Sequence, residues 1–440
     1  MMRWDETWRA LGSQILEEMN QLDNKNRIEW LAEWRARSLP YAEFLRILWR
    51  WAVLPRESES ASYVVDIVDL GLLTESLTQH PMETGWVIVD RVLADLLQRR
   101  SRLLVDAYPT HESKGLQQAW STRRPDVADW ETKLVMEREG LEGLLDRVIQ
   151  YPLPQDIGTS LPSLWRVSMS LASYWAGEDS WSLMRLASRW QAMEPTPDAS
   201  RGLVGWTVEE ASGARSLDYG RYFRDKFNES VAGVKRVQAS PPAHPDFDDG
   251  KVHTLLQSFA AVSSSIKTEN FRWYASQLLL ESLSHADDRA LDFLSWHVLG
   301  ALDVMWLSRA HRAANEERRL VWSALGWGMA AFFAVGHPGT PDSGDTVKED
   351  HLAVEEVWGA IDRGESEVAA RMAQGLGESV YELWPLLQEE SSVMGQSVGI
   401  RMVAAAERAR CFAPPLADYR LLPMVVRILT RCRATIVGAV

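Results

Sequence analysis

Cysteine is nearly absent from this chain: two residues, Cys411 and Cys432, stand among 440. A disulfide framework is excluded beyond a single bridge, and so sparse a usage fits a reducing compartment. Positive charge is also in deficit. Lys and Arg number 47 against 61 Asp and Glu, a formal net charge of −14, which gives nonspecific nucleic-acid binding little electrostatic support. The opening MMRWDETWRALG contains acids and no apolar core of a secretory signal, so a cytoplasmic location is expected. Long apolar runs are almost missing. The one uncharged stretch, residues 320–336, only touches the lower length limit for a membrane helix. With its glycines and serine it reads as a buried central helix, and no membrane span is expected.

Familiar catalytic strings are missing as well. The sequence has no P-loop, nucleophile elbow, kinase signature, HExxH or paired CxxC. Gly326-x-Gly328 imitates a dinucleotide fingerprint but lies in a helix-like apolar run with no strand before it. Tyr222-x3-Lys226 matches a short reductase signature without that fold. No cofactor and no metal is expected, and the balance leans away from an enzyme.

Tryptophan is what the chain has in excess: 21 residues against 10 Phe and 10 Tyr. A large ring with one N–H donor suits the seams between helices, and the same chemistry makes Trp an anchor at protein interfaces. Helical periodicity runs nearly throughout. Residues 5–20 place Trp8, Leu11, Ile15, Leu16 and Met19 on one stripe, and Asn26 is positioned to cap the next helix. A third follows over YAEFLRILWRWAVL. Further helices are predicted over 84–105, 126–150, 161–176, 179–193, 217–238, 251–266, 268–284, 286–312, 315–335, 348–362, 366–390, 396–411 and 418–437. The β-rich runs at 63–68 and 86–90 continue into helix-compatible sequence and are read as helix. The fold class expected is all-α: an array of packed antiparallel helical hairpins around a Trp-rich core, solenoid-like stacking being one arrangement open to it.

Proline and acidic residues punctuate this pattern. The segment 239–250, ASPPAHPDFDDG, is the expected junction between an N-terminal helical domain, 1–238, and a C-terminal one, 251–440, which carries a flexible loop at 336–346. Trp8-x2-Leu11-Gly12-x2-Ile15 resembles the opening of a tetratricopeptide repeat, and Trp322-x2-Leu325-Gly326-x2-Met329 echoes it. Their separation is no multiple of the usual repeat length of about 34 residues, so only helix-hairpin packing is carried over.

Three groups could carry function. Asp246-Phe247-Asp248-Asp249 resembles the DxDD motif of class II terpenoid cyclases. That resemblance implies a helical, aromatic-lined cavity in which an Asp of the motif, here among Asp246, Asp248 and Asp249, protonates an alkene. Gly250-Lys251 follows where the family continues with Thr-Ala. His285, Asp288, Asp292 and Asp303 fall near one line of a helix, yet no second ligand helix faces them, and a solvated face is the simpler reading. Asp303 stands apart, since it is the only charge between Asp292 and Arg309. Buried, it requires an ion-pair partner, with Arg309, Arg312, Arg318 and Arg319 nearest in sequence. His297 reads as a core histidine.

The last group is a basic amphipathic helix on an acidic protein. Arg420, Arg427 and Arg431 recur with Leu421, Val425 and Ile428 interleaved. These arginines either neutralise acidic helices of the same chain or face an acidic protein partner, while the apolar residues pack on apolar surface. The function expected is therefore a noncatalytic helical adaptor, scaffold or regulatory subunit that binds another protein. The alternatives are a helical enzyme acting through Asp248, or a protein regulated by cleavage in a loop.

Overall fold

The computed structural model describes residues 6–37, 41–52, 61–76, 82–99, 115–150, 161–174, 178–193, 268–284, 291–307, 309, 353–376, 382–387, 397–413 and 421–437. Of these, 90% are helical and none forms a strand. The helices are α1 (Glu6–Gln21), α2 (Arg27–Ala36), α3 (Tyr41–Ala52), α4 (Ala61–Ser76), α5 (Met82–Arg99), α6 (Leu116–Ser121), α7 (Pro125–Gln150), α8 (Leu161–Tyr174), α9 (Glu178–Met193), α10 (Thr268–Ser284), α11 (Leu291–Leu307), α12 (Val354–Asp362), α13 (Ser366–Gln374), α14 (Ser397–Arg410) and α15 (Leu422–Val437). The runs at 63–68 and 86–90 lie inside α4 and α5, as their helical continuations require. No described helix is long and apolar enough to cross a membrane; residues 320–336 lie outside the described residues, as do the proline-rich segments 239–250 and 336–346.

Contacts divide the chain into two compact units. One comprises Met1–Leu141 with Leu164–Glu194, the other Glu142–Ser163 with Pro195–Val440. In the first, α3 packs against α1, α4, α5 and α9, while α2 lies on α5 and α6 on α9. In the second, α15 packs against α10, α12, α13 and α14, and α11 against α10 and α14.

Indole N–H groups stitch the first unit together. Trp30 and Trp34 of α2 both donate to Oε2 of Glu18 on α1, at 2.7 and 3.0 Å. Trp51 of α3 donates to Asn20 at 3.0 Å, and Trp49 to Thr74 of α4 at 2.9 Å. Trp120 of α6 donates to Ser188 of α9 at 2.9 Å, and Ser188 passes its own hydroxyl to the Ala128 carbonyl of α7 at 3.2 Å. Trp165 of α8 reaches Gln191 of α9 at 3.2 Å. Trp34, Trp49, Trp51, Trp120 and Trp165 are fully buried, so each ring contributes a large apolar area while its one polar atom is satisfied across a seam. Rings also meet one another: Trp30–Phe44 and Phe44–Trp86 centroids stand 5.5 and 5.3 Å apart.

Several expectations need correction at the level of helix ends. Asn26 does occupy the position before α2, but its side chain makes no capping bond; Asp23 Oδ1 instead accepts the N–H groups of Lys25 and Asn26, both at 2.9 Å. Helix α6 went unforeseen, because six residues are too few for a periodic pattern. It ends in a Schellman turn in which Arg123, at φ 55°, takes the left-handed position usually given to glycine, with Arg124 N–H on Ala119 O at 2.9 Å. The same closure at Gly364, φ 73°, turns α12 into α13, with Glu365 N–H on Ala360 O at 3.0 Å. The helix predicted over 366–390 stops at Gln374, capped at Gly375, and helix resumes over 382–387. The predicted 126–150 helix is interrupted at Gly140, whose φ 69°, ψ −164° is open to glycine alone.

Two glycines thus resist substitution for different reasons. A Cβ on Gly71 of α4 would lie 2.1 Å from Val167 Cγ1 and 3.2 Å from the Trp49 ring, whereas one on Gly140 would meet nothing within 4 Å. Gly71→Ala should lower stability by about 1–3 kcal/mol through overpacking, and trimming Val167 to Ala should recover part of that loss. Gly140→Ala should cost about 1–3 kcal/mol from backbone strain alone, with no side-chain substitution able to rescue it. Thermal melts of both single variants and of Gly71→Ala/Val167→Ala check this; additive losses in the double variant would contradict the packing account.

Candidate functional site

Among the charged residues flagged from sequence, Asp303, Arg427 and Arg431 are described, and all three lie in the second unit. Asp303 of α11 is completely buried, and its Oδ1 accepts Nε of Arg408 on α14 at 2.9 Å. The expected ion pair is present, and the partner seen among the described residues, Arg408, is not one of the arginines nearest in sequence. It comes from a helix 105 residues away, because tertiary packing and not chain proximity decides which cation can share a dry site. One heptad earlier on both helices, the Arg401 guanidinium stacks over the Trp296 ring at 4.0 Å. Trp296 and Asp303 are seven apart, as are Arg401 and Arg408, so the contacts advance together and α11 and α14 run parallel. Two parallel helices repeat their facing residues every seven positions. His297 is buried in α11 as a core residue.

The C-terminal helix α15 is held by both of its faces. Leu421, Val425 and Ile428 are fully buried, as their spacing requires. Arg431 donates to the backbone carbonyl of Ser284 at 3.1 Å. Ser284 ends α10, so this guanidinium satisfies an orphan carbonyl and sits at the negative end of a helix dipole. Arg427 reaches the Ser284 hydroxyl at 3.4 Å and pairs through Nε with Glu367 of α13 at 2.8 Å. Arg433 pairs with Asp362 at the end of α12, also at 2.8 Å. Arg420 lies outside the described residues.

A third polar cluster covers the segment before α15. Trp384 donates its indole N–H to Glu407, and Arg410 both stacks on that ring at 4.6 Å and pairs with Glu407 at 3.1 Å. Cys411 beside it is an exposed free thiol, and Cys432 of α15 is a buried one. In the first unit, Arg185 and Arg189 of α9 grip the single carboxylate of Asp129 on α7, at 3.0 and 2.7 Å.

No family model, curated protein or solved structure matches this chain. The site therefore has to be read from its own geometry. Asp246, Asp248 and Asp249 lie outside the described residues, as do His285 and Asp288. Among the described residues no group of three or more His, Cys, Asp or Glu could hold a metal ion. The residues that sequence reasoning missed are Arg408, Arg401, Glu367 and Asp362. The matched seven-residue spacings on α11 and α14 were a usable signal for the first two. Nothing local marks Glu367 or Asp362 as partners of α15.

Glu18 deserves the same electrostatic reading. Burial pushes its carboxyl upward, but hydrogen bonds from Trp30, Gln14 and Trp34, with the charge of Arg37, outweigh that and leave it below its ordinary value of 4.5. A carboxyl lowered by folding stabilises the native state fully above that ordinary value, and the contribution disappears as pH falls through the folded value. Glu18→Gln should cost about 1 kcal/mol at neutral pH, and its melting difference from the native protein should shrink below about pH 4.5. A difference that stays constant down to pH 3 would count against this assignment.

Asp303 predicts a larger effect. Asp303→Ala leaves Arg408 buried without its carboxylate and should cost about 3–5 kcal/mol. Replacing both residues with Leu should cost much less, since the desolvation of two charges is relieved together. Denaturant unfolding of the three proteins measures both; equal losses in the single and double variants would rule out a coupled pair.

Proposed function

We propose that this protein is a noncatalytic helical scaffold that binds another protein, with the edge formed by α12, α13 and α15 as its docking surface. One observation carries the reading. The Arg427–Glu367 and Arg433–Asp362 pairs join α15 to the hairpin at the surface, and their acids remain 39% and 47% exposed. Such pairs contribute only about 0–1 kcal/mol each to folding, so their arrangement is poorly explained by stability alone. Arginine suits a docking edge because its planar fork grips carboxylates bidentately and its stem covers apolar area.

The test begins with affinity purification from the native host, using the intact protein as bait, followed by mass spectrometry. A stoichiometric partner is expected. Arg427→Glu/Arg433→Glu should lose that partner while remaining folded, at a stability cost above the roughly 2 kcal/mol of the two pairs, because each new carboxylate faces Glu367 or Asp362. Absence of a stoichiometric partner, or its full retention by a folded charge-reversed variant, would overturn the proposal.

A further inference from the structure

Helix α7 buries different faces on the two sides of Gly140. Before it, Ala128, Thr132 and Val135 are buried, a stripe at the four- and three-residue steps of one helical face. After it, Leu144 and Val148 are buried, again one turn apart. Val135 and Leu144 are separated by nine positions, about 2.5 turns of an α-helix. On one uninterrupted helix the two stripes would therefore point in opposite directions, and a core on one side could not take both. Between them nothing is buried: residues 136–143 are half-buried or exposed throughout, with Glu137, Arg138, Glu139 and Glu142 exposed.

The change of face falls where the chain changes unit. The first unit runs to Leu141 and the second begins at Glu142, just beyond the glycine whose φ 69°, ψ −164° break the helix. The first stripe is anchored in its own unit: the Ala128 carbonyl accepts the Ser188 hydroxyl, and Asp129 accepts the guanidinium groups of Arg185 and Arg189. At Gly140 itself a Cβ would meet nothing within 4 Å, so no packed neighbour fixes the backbone there. Glycine crosses between positive and negative φ without a steric penalty, and hinges concentrate their rotation in a few residues at element ends. We infer that Gly140 is a hinge: the α7 segments on its two sides move as parts of different bodies, and rotation about its φ and ψ joins them. The chain crosses between the units again at Ser163–Leu164 and Glu194–Pro195, so the joint is guided and not a free swivel. Gly143 has no such role. Its angles are helical, and its carbonyl accepts Nη1 of Arg147 within the second segment at 2.8 Å. The hinge stands independently of the docking edge.

Spin labels at Lys133→Cys and Asp146→Cys test this by pulsed electron paramagnetic resonance on the full-length protein. The two positions would lie about 20 Å apart on a straight helix. Cys411→Ser removes the exposed native thiol, and buried Cys432 stays in place. Label pairs at Glu29→Cys/Gln117→Cys and Glu355→Cys/Glu382→Cys use exposed positions inside one unit each, and give the width of a fixed separation. The pair across Gly140 should show a distance distribution broader than either control. Gly140→Ala closes the backbone wells that only glycine enters and should narrow that distribution towards the control width. Destabilisation alone would not narrow it. Gly143→Ala should leave the breadth unchanged. A distribution as narrow as the controls with Gly140 intact would overturn the hinge, and that measurement needs no glycine variant to fold. Unchanged breadth in folded Gly140→Ala, or equal narrowing in Gly143→Ala, would equally remove Gly140 as the pivot.

Discussion

An indole N–H taken out of water must find an acceptor or forfeit about 1–3 kcal/mol. The first unit meets that requirement at most of its buried tryptophans, Trp86 and Trp190 being the exceptions among the described residues. Five of its tryptophans are fully buried, and their N–H groups end on Glu18, Thr74, Asn20, Ser188 and Gln191. Each bond joins two different helices. Apolar burial alone would let these helices slide or rotate, since ridges and grooves tolerate a range of angles. A single donor fixed to a rigid two-ring side chain removes much of that freedom. Ten-residue α2 illustrates the effect: an isolated helix of that length is marginal, yet two indoles on one carboxylate and the bidentate Arg27–Asp90 pair, at 2.7 and 3.3 Å, hold it against α1 and α5.

The second unit meets the same problem with guanidinium groups. Arg401 on Trp296 and Arg408 on Asp303 fix the register of α14 on α11. Arg431 fixes α15 at the end of α10. A buried pair such as Asp303–Arg408 adds little net stability over an apolar pair of similar volume. It does penalise every alternative register, because a shift of one residue would strand both charges. The excess of Trp and the buried arginines thus serve one purpose, which is to select a single packing among many helical ones.

How much of this was legible beforehand varied with the range of the interaction. The helices were legible because the 3.6-residue period is local; α4 and α5 were read correctly despite β-branched runs. Buried Asp303 was legible too, as an isolated charge in an apolar helix. Its partner was not, because the choice between Arg309 and Arg408 depends on which helix lies alongside. Gly140 and Gly71 look alike as letters, yet one is required by its backbone angles and the other by Val167 pressing on it. Asn26 makes no capping bond because its backbone is already helical, at φ −92°, ψ −1°, and Asp23 instead closes an Asx turn on the amides of Lys25 and Asn26 ahead of the helix. For α15 the apolar residues of the amphipathic pattern, Leu421, Val425 and Ile428, are buried against the helices of this chain. The acids that face Arg427 and Arg433, Glu367 and Asp362, sit 60 and 71 residues earlier, beyond any local rule.

The two kinds of charge on α15 separate on physical grounds. A guanidinium on a helix-end carbonyl does not depend on a titrating partner, since its own charge persists across the physiological pH range and the helix dipole is fixed. A guanidinium on a half-exposed carboxylate is screened by salt and contributes little. Were fold stability the sole use of the α15 edge, apolar contacts to α12 and α13 would supply it more strongly, and the Ala369, Ala370 and Ala373 face of α13 is already buried. Weak pairs placed around a strong apolar seam have a different consequence: their loss leaves the apolar seam that seats the helix in place. A docking surface needs that property, because the partner must be recognised by charge while the helix that presents the charge stays where it is.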